Sequence, residues 1–143
     1  MNKKLYTQKN NEDVEFGNNS ENTNIKILNE HFKINLQQRK AYKVLDFIDE
    51  NNKIIVELKS RRCYSSDHLD SMIGLNKLYN ANKYINTGYS CYFAFSFCDK
   101  LCYYKYDGNI NNSWIRMGGR YDRGKDEYNK YYHIPLILMK DIK

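Results

Sequence analysis

Ile25, Leu28 and Phe32 recur at helical spacing, and Glu21 continues the same line one turn earlier, which predicts an amphipathic helix capped by Ser20. Glu21 therefore lies in line with the apolar stripe. Its charge also suits the first turn of any helix, and the pattern alone leaves both roles open. The period then changes. Two runs rich in β-branched residues, Tyr42–Ile48 and Lys53–Lys59, flank the polar cluster Asp49, Glu50, Asn51 and Asn52, which predicts a hairpin with a loop of those four residues. From Asp67 to about Asn86 the residues Leu69, Met72, Ile73, Leu75, Leu78, Tyr79 and Ala81 give helical spacing, with Ser66 or Asp67 as cap and Gly88 beyond the end. The run "YSCYFAFSFC" from Tyr89 is continuous enough for a central strand covered on both faces, and Leu101–Tyr106 can pair with it through a tight "CDK" corner. Residues 107–130 read as a loop, cationic near its middle, and "YYHIPLILM" as a last strand in which Pro135 marks an edge or a strand start. The polar residues 1–14 read as a loose tail of a single domain spanning 1–143, with no internal repeat.

The hairpin carries an anomaly. Asp46, Glu57 and Lys59 sit inside runs that otherwise ask to be buried, and a charge there is costly unless it is paired or holds a metal. With a loop of residues 49–52, Asp46 pairs with Ile55, and Glu57 lies diagonal to Asp46. Directly opposite residues share a face, as do residues two apart. Asp46, Ile55, Glu57 and Lys59 therefore share one face, and Leu45, Phe47, Ile54, Val56 and Leu58 share the other. A slip of one residue would break this arrangement.

Two carboxylates at that spacing repel unless a cation lies between them, and oxygen ligands suit magnesium or manganese. Lys59, on the same face, can direct an ammonium at a phosphate or a water. Together the three groups could hydrolyse a phosphodiester, with the metal as Lewis acid and the lysine stabilising developing negative charge. The plainer alternative is a surface salt bridge of Glu57 with Lys59 or Lys53 on a solvated sheet face.

"LDFID", the ten residues between the acids, and "IIVELKSR" resemble the PD-(D/E)XK nuclease superfamily, over roughly residues 15–98. The resemblance implies an α/β, restriction-endonuclease-like αβββαβ core, a central mixed sheet flanked by helices. It implies metal binding by Asp46, Glu57 and the main-chain carbonyl of Leu58, and a water-positioning or charge-stabilising role for Lys59. A glutamate on the first helix often completes such sites, and Glu21 matches it. Leu45 stands where a proline commonly precedes the first acid. The implied activity is Mg2+- or Mn2+-dependent endonucleolytic hydrolysis of DNA. With little room for a separate sequence-reading region, selectivity for DNA structure or direction by a partner is expected. RNA as substrate, and a nucleic-acid-binding protein that keeps the fold without cleaving, stay open as alternatives. A homodimer is expected where two strands are cut.

Charge fits this reading without deciding it. The chain of 143 residues has a formal net charge of +6 and a pI near 9.0, and it carries 14 Tyr, whose rings serve a core edge or a nucleobase equally well. Candidate phosphate contacts are Arg61 and Arg62 after the motif, Lys77 on the second helix, and Arg116, Arg120 and Arg123, with Lys125, in the loop beside Trp114 and Tyr121. Each has a solvated alternative. His68 is a candidate for the site edge, and His133 reads as structural. Cys63, Cys91, Cys98 and Cys102 lack the spacing of a zinc site and read as reduced thiols. No run is long enough to span a membrane and the start lacks a signal-peptide core, so an intracellular location, in cytoplasm or nucleus or in a host cell, is expected.

Overall fold

The computed structural model describes residues 21–40, 43–119 and 128–142. Ser20, the tail, Tyr42, Arg120, Tyr121, Arg123 and Lys125 lie outside them. The first helix, α1, covers residues 21–32 and is followed by the short strand β1 (Gln37–Gln38). Leu28 of α1 is fully buried, and Ile25, Ile27 and Phe32 pack around it against Phe47, Val56, Leu58, Ala94 and Leu101. Each such aliphatic side chain contributes about 1.5–3 kcal/mol on burial, so α1 is fixed to the sheet by its stripe rather than by propensity alone.

The hairpin consists of β2 (Phe47–Asp49) and β3 (Ile54–Ser60). Its register is Phe47 to Val56, Ile48 to Ile55 and Asp49 to Ile54. The loop is thus residues 50–53, one position later than the sequence pattern predicts. The Asp49 side chain accepts from the Asn52 amide at 3.0 Å, the Asn52 side chain at 2.8 Å and the Asn35 amide at 2.8 Å, while Lys53 takes φ 53°. Moving both loop ends by one residue slides the ladder by two, which leaves Phe47, Ile54, Val56 and Leu58 on one face and Ile55 and Glu57 on the other; Leu45, expected beside Phe47, packs instead with Ile55 and α2, because the ladder ends at Phe47. The Asp46 carboxyl, just before the ladder, interacts with that of Glu57.

Residues 65–67 form a 3-10 turn, Asp70–Gly74 form strand β4, and helix α2 is confined to Leu75–Ile85. The helix expected from Asp67 is therefore shorter, and Asp67 closes the 3-10 turn by accepting from the Tyr64 amide at 2.8 Å. Ser71 and Ile73 point inward while Asp70 and Met72 point outward, a period of two; Leu69, counted toward the helical stripe, is 92% exposed. Gly88, at φ +96°, follows α2 as the pattern predicts.

Strand β5 (Ser90–Ser96) runs parallel to β3 and antiparallel to β6 (Leu101–Tyr106), so it is a central strand of the sheet β1-β2-β3-β5-β6-β9, where β9 is Lys140–Asp141. The parallel pair needs a crossover, and α2 lies in it, packing Leu78 and Ala81 on the sheet face opposite α1. A second sheet, β4-β8-β7, joins the same core through Ile73, Tyr132 and Ile134. It contains β7 (Ile115–Gly119) and β8 (Tyr128–Pro135), so within the expected loop over 107–130 residues 115–119 and 128–130 are strand. Alternation of Tyr132 and Ile134 with Tyr131 and His133 fixes β8, and Pro135 ends it, after which Leu136–Leu138 make a 3-10 turn. This mixed α/β architecture, with helices on the two faces of a mixed sheet, is a restriction-endonuclease-like fold.

Cys91 and Cys102 are buried, Cys98 is exposed, and all four cysteines are free thiols. Among the described residues no helix is long and apolar enough to cross a membrane.

Candidate active site

Both faces of β3 are covered, so Glu57 is not on a solvated sheet. It is 0% exposed, on the side facing α2. That excludes the surface salt bridge as a description of this carboxylate. From α2 the Lys77 ammonium reaches within 2.8 Å of Glu57 Oε2 and also donates to the Val44 carbonyl. Lys59 Nζ stands 3.9 Å from the same oxygen, and its side chain is 34% exposed at the mouth. Asp46, half-buried, lies within hydrogen-bonding range of Glu57.

These contacts leave the pair under electrostatic tension. Two ionised carboxylates can only accept, so neither can satisfy the other without a proton or a cation between them. Apart from the Lys77 ion pair, neither Glu57 oxygen accepts a hydrogen bond. Burial, then the Asp46 carboxyl, pushes the Glu57 pKa up to about 8, against the opposing pull of Lys59 and Lys77. Glu21, in the first turn of α1, is half-buried, and burial followed by the charge of Asp46 raises its pKa while Lys59 lowers it. Glu21, Asp46, Glu57, Lys59 and Lys77 are thus one electrostatic cluster drawn from α1, the hairpin and α2.

Among the described residues no three carboxylate, imidazole or thiol groups converge as a ready ligand shell. The donor set is the Asp46 and Glu57 pair. Hard oxygen donors with unused acceptor capacity, facing each other in a buried site, fit a divalent cation of the magnesium type.

A family model described as "Phage putative PDDEXK endonuclease" matches residues 9–142, nearly the whole chain. The chain belongs to that family. No curated protein and no solved structure matches it. Membership in a PD-(D/E)XK endonuclease family marks the chain as a nuclease, with nucleic acid as its substrate.

Other residues singled out in this PD-(D/E)XK chain fall elsewhere. Arg61 turns into the protein, where Nη2 donates to the Met72 carbonyl at 2.5 Å and Nε to Ser71 Oγ at 3.3 Å, tying β3 to β4. These bonds tie its guanidinium to the fold. Arg62 is exposed. Arg116 is on β7, not on a loop, and pairs with Asp70 at 2.5 Å. Asp70 also meets His133 Nδ1 at 3.1 Å, and the His133 ring lies over Gly118, where a Cβ would come within 3.3 Å of it. His133 is structural, as its strand position predicts, and His68 is exposed beyond the 3-10 turn.

Sequence reasoning did not single out Arg39, Lys43 and Lys83, which line a cleft of about 440 Å³ with Asn80, Tyr84 and Thr87. A signal was available. Lys77, Asn80 and Tyr84 recur at i, i+3 and i+7, a polar stripe on α2 that the apolar count passes over, and Thr87 follows the helix end.

Proposed function

We propose that this PD-(D/E)XK nuclease hydrolyses DNA phosphodiester bonds with Asp46 and Glu57 holding magnesium or manganese, joined by the Leu58 carbonyl and supported by Glu21. The observation that carries the reading is the fully buried Glu57 carboxylate facing Asp46 across the hairpin with its oxygens short of donors. Evolution of a fold for stability alone would favour an apolar side chain at such a position, since replacing buried ionic groups by apolar ones is often neutral or stabilising.

Bound between these acids, the divalent ion would supply Lewis-acid polarisation of the phosphate and ease deprotonation of the attacking water. The protein's own groups do the rest. Lys59, exposed enough to meet substrate, sets an ammonium where negative charge develops on the phosphate oxygens. Lys77 holds the Glu57 carboxylate in one orientation from α2 and offsets its charge. Glu57, with its pKa near 8, is mostly protonated at neutral pH, half-ionised near pH 8 and a full anion only above that value. The proposed selectivity is for DNA shape or through direction by a partner, and a duplex cut on both strands calls for two copies.

The test is a cleavage assay on single-stranded, duplex, flapped and four-way-junction DNA and on RNA, in magnesium, manganese or EDTA. Wild type is expected to cut at least one DNA form only with metal, and Glu57→Ala and Lys59→Ala to lose at least about 100-fold in rate, the scale of removing one charge-stabilising group. Cleavage of RNA alone would replace DNA as the substrate. Binding without cleavage on every substrate would sink the enzymatic reading.

A further inference from the structure

Asp46 stands one residue outside the β2–β3 ladder, which ends at Phe47. The main-chain carbonyls of Val44, Leu45 and Asp46, consecutive along the chain, each accept a hydrogen bond. Lys77 Nζ donates to Val44, Arg39 Nη1 to Leu45 at 3.2 Å, and the Arg39 amide to Asp46 at 2.8 Å. Arg39 thus holds two adjoining residues at once, Asp46 with its main chain and Leu45 with its guanidinium.

The far end of Arg39 is anchored on α2. Its Nη2 donates to the Tyr84 hydroxyl, and the guanidinium carbon stands 5.1 Å from the centre of the Tyr84 ring. Tyr84 is itself placed by packing: its ring meets Tyr89 edge-on, with centres 5.3 Å apart, and lies against the core that contains Leu78 and Ala81. A planar guanidinium presents its donors in a fixed fork, so one side chain can bridge a carbonyl and a hydroxyl in a single orientation. α2 therefore grips the segment before β2 at two points. Lys77, which pairs with Glu57 at 2.8 Å, fixes Val44, and Tyr84 fixes Leu45 through Arg39. One helix sets both acids, Glu57 by direct contact and Asp46 through the main chain that carries it.

We propose that Arg39 and Tyr84 are positioning residues for Asp46, holding its carboxylate at the spacing from Glu57 at which one divalent cation is shared. The proposal rests on the reading of Asp46 and Glu57 as metal ligands. Magnesium accepts oxygen ligands only near about 2.0–2.1 Å and in near-ideal octahedral geometry, so a small drift of the Asp46 main chain weakens the site. Arg39 and Tyr84 act through Asp46, and their loss is read in metal affinity and turnover rather than in affinity for DNA.

The experiment titrates the full chain with Mn2+ by calorimetry in the absence of nucleic acid, and measures kcat and KM for Mn2+-dependent cleavage of DNA. It compares wild type with Tyr84→Phe, which removes only the hydroxyl, and with Arg39→Lys, which keeps the charge but not the fork. Asp46→Asn tests the ligand itself, and Tyr79→Phe, at an exposed tyrosine of the same helix, is the control. Working well below each thermal midpoint confines the comparison to folded protein. Tyr84→Phe and Arg39→Lys are expected to weaken Mn2+ binding and to lower kcat by about 10–100-fold, the scale of losing an outer partner of a metal ligand, with KM unchanged. Tyr79→Phe should match wild type. Wild-type Mn2+ affinity and kcat in both folded variants would overturn the proposal and leave the metal reading standing. A rise in KM alone would overturn it too, by making Arg39 a DNA contact. Undiminished Mn2+ affinity in Asp46→Asn, or no Mn2+ binding by wild type, would overturn the metal reading and the proposal with it.

Discussion

Lys77 Nζ lies 2.8 Å from Glu57 Oε2 while donating to the Val44 carbonyl, so one ammonium from α2 ties the buried acid of β3 to the segment leading into β2. Removing one partner of such a buried pair leaves the other uncompensated, at a cost of about 3–5 kcal/mol where the charge has no escape. Glu57 has an escape, because it can take up a proton. Lys77→Met is therefore expected to destabilise by about 2 kcal/mol at pH 9 and by less at pH 6, and Lys77→Met with Glu57→Gln to recover most of that loss. Urea unfolding in EDTA at both pH values measures it, and a pH-independent loss would show that Glu57 is not what Lys77 stabilises.

The raised pKa of Glu57 has its own signature. A carboxyl that titrates near 8 in the folded protein and near 4.5 unfolded binds more protons folded than unfolded between those values. Its contribution is fully favourable below 4.5 and is lost as the pH rises through 8. Wild type should thus lose on the order of 3 kcal/mol from this group between pH 5 and pH 9 in EDTA, and Glu57→Gln, which mimics the protonated form, should flatten that fall. Magnesium should raise the thermal midpoint of wild type more at pH 8.5 than at pH 6, and should not raise that of Glu57→Gln. Parallel pH profiles for the two proteins would contradict the environment assigned to Glu57.

The faces of β3 were legible because side-chain parity survives an even register shift: Ile55 and Glu57 share a face whether the loop is 49–52 or 50–53. The loop position itself depends on the bonds that Asp49 makes to Asn52 and to the remote Asn35, and the pattern of apolar residues holds no record of the second. The β4 strand was misread because Leu69, Met72 and Ile73 extend the stripe of α2 while tertiary pairing with β8 selects period two. The β7 strand carries Gly118 and Gly119, which weaken strand propensity, and the close approach of Met72 and His133 to Gly118 is the packing reason for the first of them. Burial of Glu57 and the inward turn of Arg61 follow from what lies on each face of β3, which only the second sheet and α2 decide.

Arg61 separates a structural cation from a substrate contact. Its side chain bonds to Ser71 and to the Met72 carbonyl, and hydrogen bonds from a charged group are worth about 1.5–3 kcal/mol. Arg61→Ala is expected to lower stability by about 2 kcal/mol and to leave the salt slope of DNA binding unchanged. A folded variant with undiminished stability and a slope reduced by about 0.9 would return Arg61 to the phosphate-binding surface.

Asp49 offers the sharpest link between a turn and the site. Its carboxylate is stabilised first by the Asn52 side chain and then by the Asn35 and Asn52 amides, which hold its pKa below the usual carboxylate range. A depressed folded pKa means stability that is present above the unfolded value and lost as pH falls through the folded one. Asp49→Ala should therefore lower the thermal midpoint by several degrees at neutral pH, and the gap should close in acid as wild-type Asp49 itself becomes protonated. The same change frees the loop to shift. A one-residue slip would turn Glu57 to the opposite face, away from Lys77, whereas a two-residue slip would keep its face and move it relative to Asp46. Cleavage by Asp49→Ala, measured well below its midpoint, is thus expected to fall by more than the unfolded fraction explains. Activity that simply follows the folded fraction would mean that the ladder from Phe47 and Val56 to Asp49 and Ile54 holds its register without the Asp49 side chain.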